Sequence, residues 1–123
     1  MSRTIELTVP LPPNLANGRY HWRKLARLKK DYYADLDARQ SAGLIPPPPE
    51  RPMRRPLLES VMLCGAKHDA DNAVSRHKWT IDWLATRGYI ENDRALEWHS
   101  FPRQDVKRRE SYELKLTLWE RAA

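Results

Sequence analysis

Two aspartates set two residues apart, Asp69 and Asp71 in the run His68-Asp69-Ala70-Asp71-Asn72, are the residues of this chain best suited to chemistry. The run lies where a strand pattern gives way to a helix pattern, so an extended backbone would project both carboxylates to one side. Converging carboxylates repel each other, and a divalent cation relieves the repulsion. Mg²⁺ takes hard oxygen ligands from one or two carboxylates and keeps waters and substrate phosphate oxygens in its other positions, which suits this pair. Asp71 has a second reading as the N-cap of the following helix, a position that favours Asp and Asn. The two readings are compatible, because a cap can fix the carboxylate it uses.

A helix starting at Asp71 advances about 100° per residue, which brings Asp71, Ser75, Lys78 and Asp82 within about 60° of arc. Along its axis Asp82 would stand about 16 Å from Asp71, too far for two short side chains to share an ion. Lys78 would stand about 10 Å from Asp71, and its long side chain can reach back toward a phosphate held near a metal. It can equally pair with Asp82 one turn further on, for a few tenths of a kcal/mol. Val74, Ile81, Leu84 and Ala85 read as core, and the pair Trp79 and Trp83 reads as core or interface. No HExxH or paired-cysteine spacing supports a zinc site, so His68, His77 and His99 read as ordinary surface or loop residues.

The elements that must hold these residues follow from the hydrophobic period. Thr4 to Val9 alternates as a half-buried strand, and prolines at 10, 12 and 13 end it. A helical pattern runs from about Arg19 to Ala42 with the stripe Trp22, Leu25, Leu28, Tyr32, Leu36, and Gly43 stops it. Residues 43–56, with Pro46 to Pro49, form a stiff surface loop of polyproline II character. Leu57 to Gly65 reads as a more fully buried strand. A loop then enters a single helix that ends near Arg87, with Gly88 as its stop. Tyr112 to Leu118 alternates as a final strand, and Leu96 to Phe101 is its expected antiparallel partner, joined through a basic turn at Arg103, Lys107, Arg108 and Arg109. The order predicts an α+β fold, one mixed sheet of about four strands with two main helices packed against it, and a single domain over 1–123.

Charge narrows the partner. Lys and Arg number 22 against 16 Asp and Glu, a formal +6, which favours a polyanion such as nucleic acid. Between Arg19 and Lys30 there are cations and no acid, so Arg19, Arg23, Lys24, Arg27 and Lys30 are candidate phosphate contacts on one helix. No apolar run is long enough to span a bilayer and no signal-peptide pattern opens the chain, so a soluble, cytoplasmic protein without a membrane partner is expected. The single cysteine, Cys64, excludes an internal disulfide and reads as a buried structural thiol. At this size a homodimer would usefully add buried apolar area.

The ordered set from Lys67 to Arg94 resembles the RusA family of Holliday junction resolvases. Asp69-Ala-Asp71-Asn72 is similar to the family's DxDN stretch, Lys78 followed by Asp82 and Leu84 to its helix, and Gly88-Tyr-Ile-Glu91-Asn92-Asp93 to its acidic turn. Two positions depart from that pattern. The family's lysine commonly stands four residues after the second Asp, where this chain has Ser75, and Lys78 lies nearly one helical turn further along. Asn92 stands where paired acids are common, with Asp93 at the essential position and Glu91 as an alternative. The resemblance implies a phage-type or bacterial homodimer that nicks four-way DNA junctions symmetrically with Mg²⁺ or Mn²⁺. Asp69, Asp71 and Asp93 would then hold the metal, Lys78 would neutralise charge on the phosphate, and Asn72, Ser75, Asp82 and Glu91 would stand behind them. A branched-DNA binder without cleavage, and a nuclease for forks or flaps, are the alternatives.

Overall fold

The computed structural model describes residues 3–13 and 21–121. Its elements are β1 (Thr4–Pro10), α1 (Trp22–Ser41), β2 (Pro56–Cys64), α2 (Ala70–Ser75), α3 (Lys78–Thr86), a 3-10 turn (Asp93–Ala95), β3 (Glu97–Trp98), β4 (Arg103–Val106) and β5 (Glu113–Glu120). The fold is α+β, with one mixed sheet and two main helical segments. The sheet runs β1, β5, β2, and then β3 and β4 end to end along the far edge of β2. β5 pairs antiparallel with both β1 and β2, whereas β3 and β4 run parallel to β2.

That edge departs from the expected hairpin. Trp98 lies opposite Leu58 and Arg103 opposite Val61, so five residues of the edge cover three of β2, and Pro102, which has no N–H to give, sits in the bulge. Strands this short carry no readable period. Of the residues from Leu96 to Phe101, Glu97 and Trp98 therefore pair with β2 rather than with the last strand, and Arg103 belongs to a strand rather than a turn.

β2 also differs from a strand buried on both faces. Pro56, Leu58, Ser60, Met62 and Cys64 point into the core, and the residues between them are half-exposed. The buried side chains form one cluster, in which Leu7 and Val9 of β1 and Leu114, Leu116 and Leu118 of β5 meet Tyr32 and Leu36 of α1 and Trp83 and Leu84 of α3. Cys64 is a buried free thiol within it, and burial pushes its pKa up. Trp22, the expected start of the α1 stripe, is 66% exposed, so the buried face of α1 begins later. The proline-rich connection is pinned through buried Ile45 and Met53, and Pro46 accepts a hydrogen bond from the Tyr89 hydroxyl. Gly43 and Gly88 take φ of +79° and +84° after α1 and α3, the left-handed conformation that lets a helix end abruptly.

The expected single helix after Asp69 is broken at Arg76–His77, where the His77 ring turns back onto α2. Its ring Nδ1 donates to the Ala73 carbonyl at 2.8 Å, taking the acceptor that a continuing α-helix would reserve for the His77 backbone. The His77 N–H turns instead to Val74 at 3.0 Å, a tighter 3-10 step, and α3 starts afresh with Ile81 N–H donating to His77.

Candidate functional site

Asp69 and Asp71 are carried at the entry to α2, and the backbone leading to them is held from a distance. Gln104 of β4 grips both peptide groups of His68. Its Oε1 accepts from the His68 N–H at 2.7 Å, and its Nε2 donates to the His68 carbonyl at 2.8 Å. Arg76, at the end of α2, donates to the Pro12 carbonyl at 2.7 Å and to His68 Nε2 at 3.1 Å. His68 must therefore present a lone pair, and burial together with the Arg76 charge lowers its pKa. These two straps fix the residue directly before Asp69 against β4 and against the chain leaving β1.

Asp69, not Asp71, is the N-cap of α2, and its carboxylate makes no capping bond. The capping alternative for Asp71 is thus not the one adopted. Asp71 lies in the first turn, where Oδ1 accepts only the neighbouring Asn72 N–H at 3.0 Å. Both aspartates are exposed, and among the described residues neither forms an ion pair. Ser75 is committed to the backbone through a 2.9 Å bond from its hydroxyl to the Asp71 carbonyl.

Because the helix breaks, Asp71, Ser75, Lys78 and Asp82 do not share one continuous helical face. Lys78 opens α3, exposed and without an ion pair among the described residues. The Asp82 partner considered for it is taken, since Asp82 binds Lys29 of α1 at 3.3 Å. Asp93 opens the 3-10 turn, which packs against α3, and its carboxylate is exposed. Asn92 caps that turn by accepting the Arg94 N–H at 2.6 Å, a job its amide oxygen does without adding charge. Glu91 is engaged by Arg54 at 3.4 Å.

Among the described residues no three His, Cys, Asp or Glu side chains are gathered into a group able to hold a metal ion. Asp69, Asp71 and Asp93 are displayed on α2 and the 3-10 turn without being drawn into such a set. The donor chemistry of Asp69 and Asp71, two hard and uncommitted carboxylates, fits an ion that needs one or two of them and fills its other places with waters and phosphate oxygens.

Behind the site, two residues that local reasoning missed tie the helix break to the sheet. His77 and Ser60 are both buried, and the Ser60 hydroxyl lies 2.6 Å from His77 Nε2. Burial favours the neutral ring, and with Nδ1 carrying the proton that goes to Ala73, Nε2 then accepts from the Ser60 hydroxyl. Burial, with the Arg76 charge adding to it, holds the His77 pKa at about 4. His77 is therefore no surface residue. The sequence does hold the clue, since Ala73, His77, Thr80 and Leu84 fall at the spacing of a helix's inner face.

On α1, Arg23, Arg27 and Lys30 are exposed and fall within about 60° of one another around the axis. Lys24 is also exposed, and Arg19 lies outside the described residues. Lys29 turns away from this stripe toward Asp82 and the Tyr33 ring. Among the described residues no helix is long and apolar enough to cross a membrane. Comparison with protein-family models and with curated proteins finds no match.

Proposed function

We propose that this protein is a metal-dependent, structure-specific DNA endonuclease of the RusA type, which resolves four-way junctions by paired incision as a cytoplasmic homodimer. The observation that carries the reading is the uncommitted state of the functional charges. Most acids near α3 are paired, Asp82 with Lys29 and Asp37 with Arg87, while Asp69, Asp71 and Lys78 are left exposed and without ion pairs among the described residues. The basic stripe on α1 supports a polyanionic partner.

In this proposal Asp69 and Asp71 would hold Mg²⁺ or Mn²⁺, with waters and substrate phosphate oxygens in its other positions. When bound, the ion supplies Lewis-acid polarisation of a phosphodiester and a water of lowered pKa. Lys78 neutralises the negative charge that develops on the phosphate, a role open to an ammonium free of a competing carboxylate. Gln104 and Arg76 position Asp69 through His68. Two equivalent sites in a dimer account for paired cuts.

The test is incubation of a labelled four-way junction, a fork and a linear duplex with Mg²⁺ or EDTA, for the parent and for Asp71→Asn. EDTA-sensitive junction cleavage, lost in Asp71→Asn with junction binding retained, supports the enzyme. Preference for forks redirects the substrate, binding without cleavage by the parent identifies a branched-DNA binder, and cleavage indifferent to EDTA refutes the metal chemistry.

A further inference from the structure

A second cationic surface lies at the opposite end of the chain's logic from α1, where β2 and β4 finish together. Cys64 pairs with Val106 in parallel register, so the two strands end side by side, and the Lys107 N–H donates to the Cys64 carbonyl at 3.0 Å. Lys67 follows one strand end within three residues; Lys107 and Arg108 follow the other directly. All three are exposed, and among the described residues none makes a side-chain hydrogen bond or ion pair.

The turn that presents them is built rather than slack. Arg109, with a side chain only 13% exposed, faces inward and donates to the carbonyls of Cys64 at 3.2 Å and Asp105 at 2.7 Å. It also pairs with the Asp105 carboxylate at 3.1 Å, consuming the acid that could otherwise neutralise its neighbours. Glu110 is the remaining exposed acid of the turn. Tyr112 lies across Gly65 so closely that a Cβ there would stand 2.7 Å from its hydroxyl oxygen. A cationic turn ordered in advance loses little freedom when it meets a polyanion.

We infer that Lys67, Lys107 and Arg108 form a second DNA-backbone contact surface that delivers the phosphodiester to the Asp69–Asp71 face. The inference rests on the nuclease reading above and adds to the α1 stripe. The link to the site is the Gln104 clamp, because the strand that carries this turn grips His68, one residue before Asp69. Two bare carboxylates repel an approaching phosphate. Cations fixed to the same frame offset that repulsion and set where along the backbone the strand is presented.

The experiment compares the parent, the triple variant Lys67→Gln/Lys107→Gln/Arg108→Gln and, as a charge control on the open sheet face, Lys115→Gln. Anisotropy of a labelled four-way junction is followed from 50 to 200 mM KCl in EDTA, and urea midpoints verify folding. Each lost phosphate contact lowers the slope of log affinity against log salt by about 0.9, so the triple variant should lose about 2 to 3 in slope. Its affinity should then change roughly 15- to 60-fold less than the parent's across that salt range. Lys115→Gln should keep the parent slope. A folded triple variant with the parent's slope overturns the second surface while leaving the nuclease reading intact. A parent that binds the junction without salt dependence overturns that reading, and this inference with it.

Discussion

Lowering the pH from 7 to 4 should destabilise the protein through His77 more than through any other imidazole. In the folded chain its Nδ1 donates to Ala73 and its neutral Nε2 accepts from Ser60, so a second ring proton would bury a positive charge and force the Ser60 hydroxyl to turn from donor to acceptor. Burial accordingly holds its pKa at about 4, down from the ordinary 6.5. In the unfolded chain the ring has the ordinary value. Between these two values the unfolded state binds a proton that the folded state refuses, so stability is intact above about pH 6.5 and falls as the pH drops toward 4.

At about 1.4 kcal/mol per pKa unit, the full loss comes to about 3 kcal/mol, a large part of the stability of a domain this size. Urea unfolding followed by tryptophan fluorescence at half-unit steps from pH 7.5 to 4.5 measures it. The parent should lose stability with a limiting slope of about 1.4 kcal/mol per pH unit. His77→Gln should flatten that slope even though it lowers the plateau. His68 shifts in the same direction, so both proteins are also compared in a His68→Asn background. If His77→Gln keeps the parent's slope from pH 6.5 to 4.5 in that background, the buried neutral imidazole is refuted.

Lys78→Met should lower junction cleavage by at least tenfold, while Asp82→Asn, which only frees Lys29, should leave cleavage within about twofold of the parent; equal losses would mean that Lys78 acts through Asp82 after all. Tyr32→Phe removes the hydroxyl that donates to Pro10 at 2.7 Å and meets buried Thr80 at 2.9 Å, and it should cost about 1 to 3 kcal/mol in urea unfolding. A loss near zero would show that Thr80 finds another partner within its own helix.

The first and last strands and α1 were legible because each repeats its own period. β1 and β5 bury Leu7 and Val9 and Leu114, Leu116 and Leu118 as their alternation selects, while Tyr112, the expected start of the last strand, lies before β5 and is exposed. The glycines at 43 and 88 marked true helix ends because both take positive φ. What misled was any signal too short to show a period or overridden by one distant contact. β3 has two residues and β4 has four, and they line β2 because both edges of β5 are already taken by β1 and β2. Trp22 satisfied the spacing of a buried stripe, yet its place in the first turn of α1 leaves it exposed with Arg23 over its ring. Spacing says which residues share a face and nothing about how far along the helix that face is covered.

The candidate site divides in the same way. Asp69 and Asp71 could be singled out because two short acids at a strand-to-helix junction are a local feature, whereas the bonds that hold them are not. Gln104 lies more than thirty residues downstream of His68 and looks like any polar residue of a basic segment, yet it binds both peptide groups of the residue before Asp69. Arg76 counts in the composition as one more surface cation, but half its work is a bond to Pro12 across the sheet. The helix break likewise coincides with one imidazole reaching a carbonyl four residues back and a serine on β2, contacts that no propensity scale encodes. It separates Asp71 from Lys78 onto two helices, so their relative placement depends on the Ser60–His77 contact rather than on helical pitch. Any substitution at Ser60, His77 or Gln104 should therefore alter the presentation of the carboxylates without touching them, so in the proposed nuclease these residues would position the acids rather than act on the substrate.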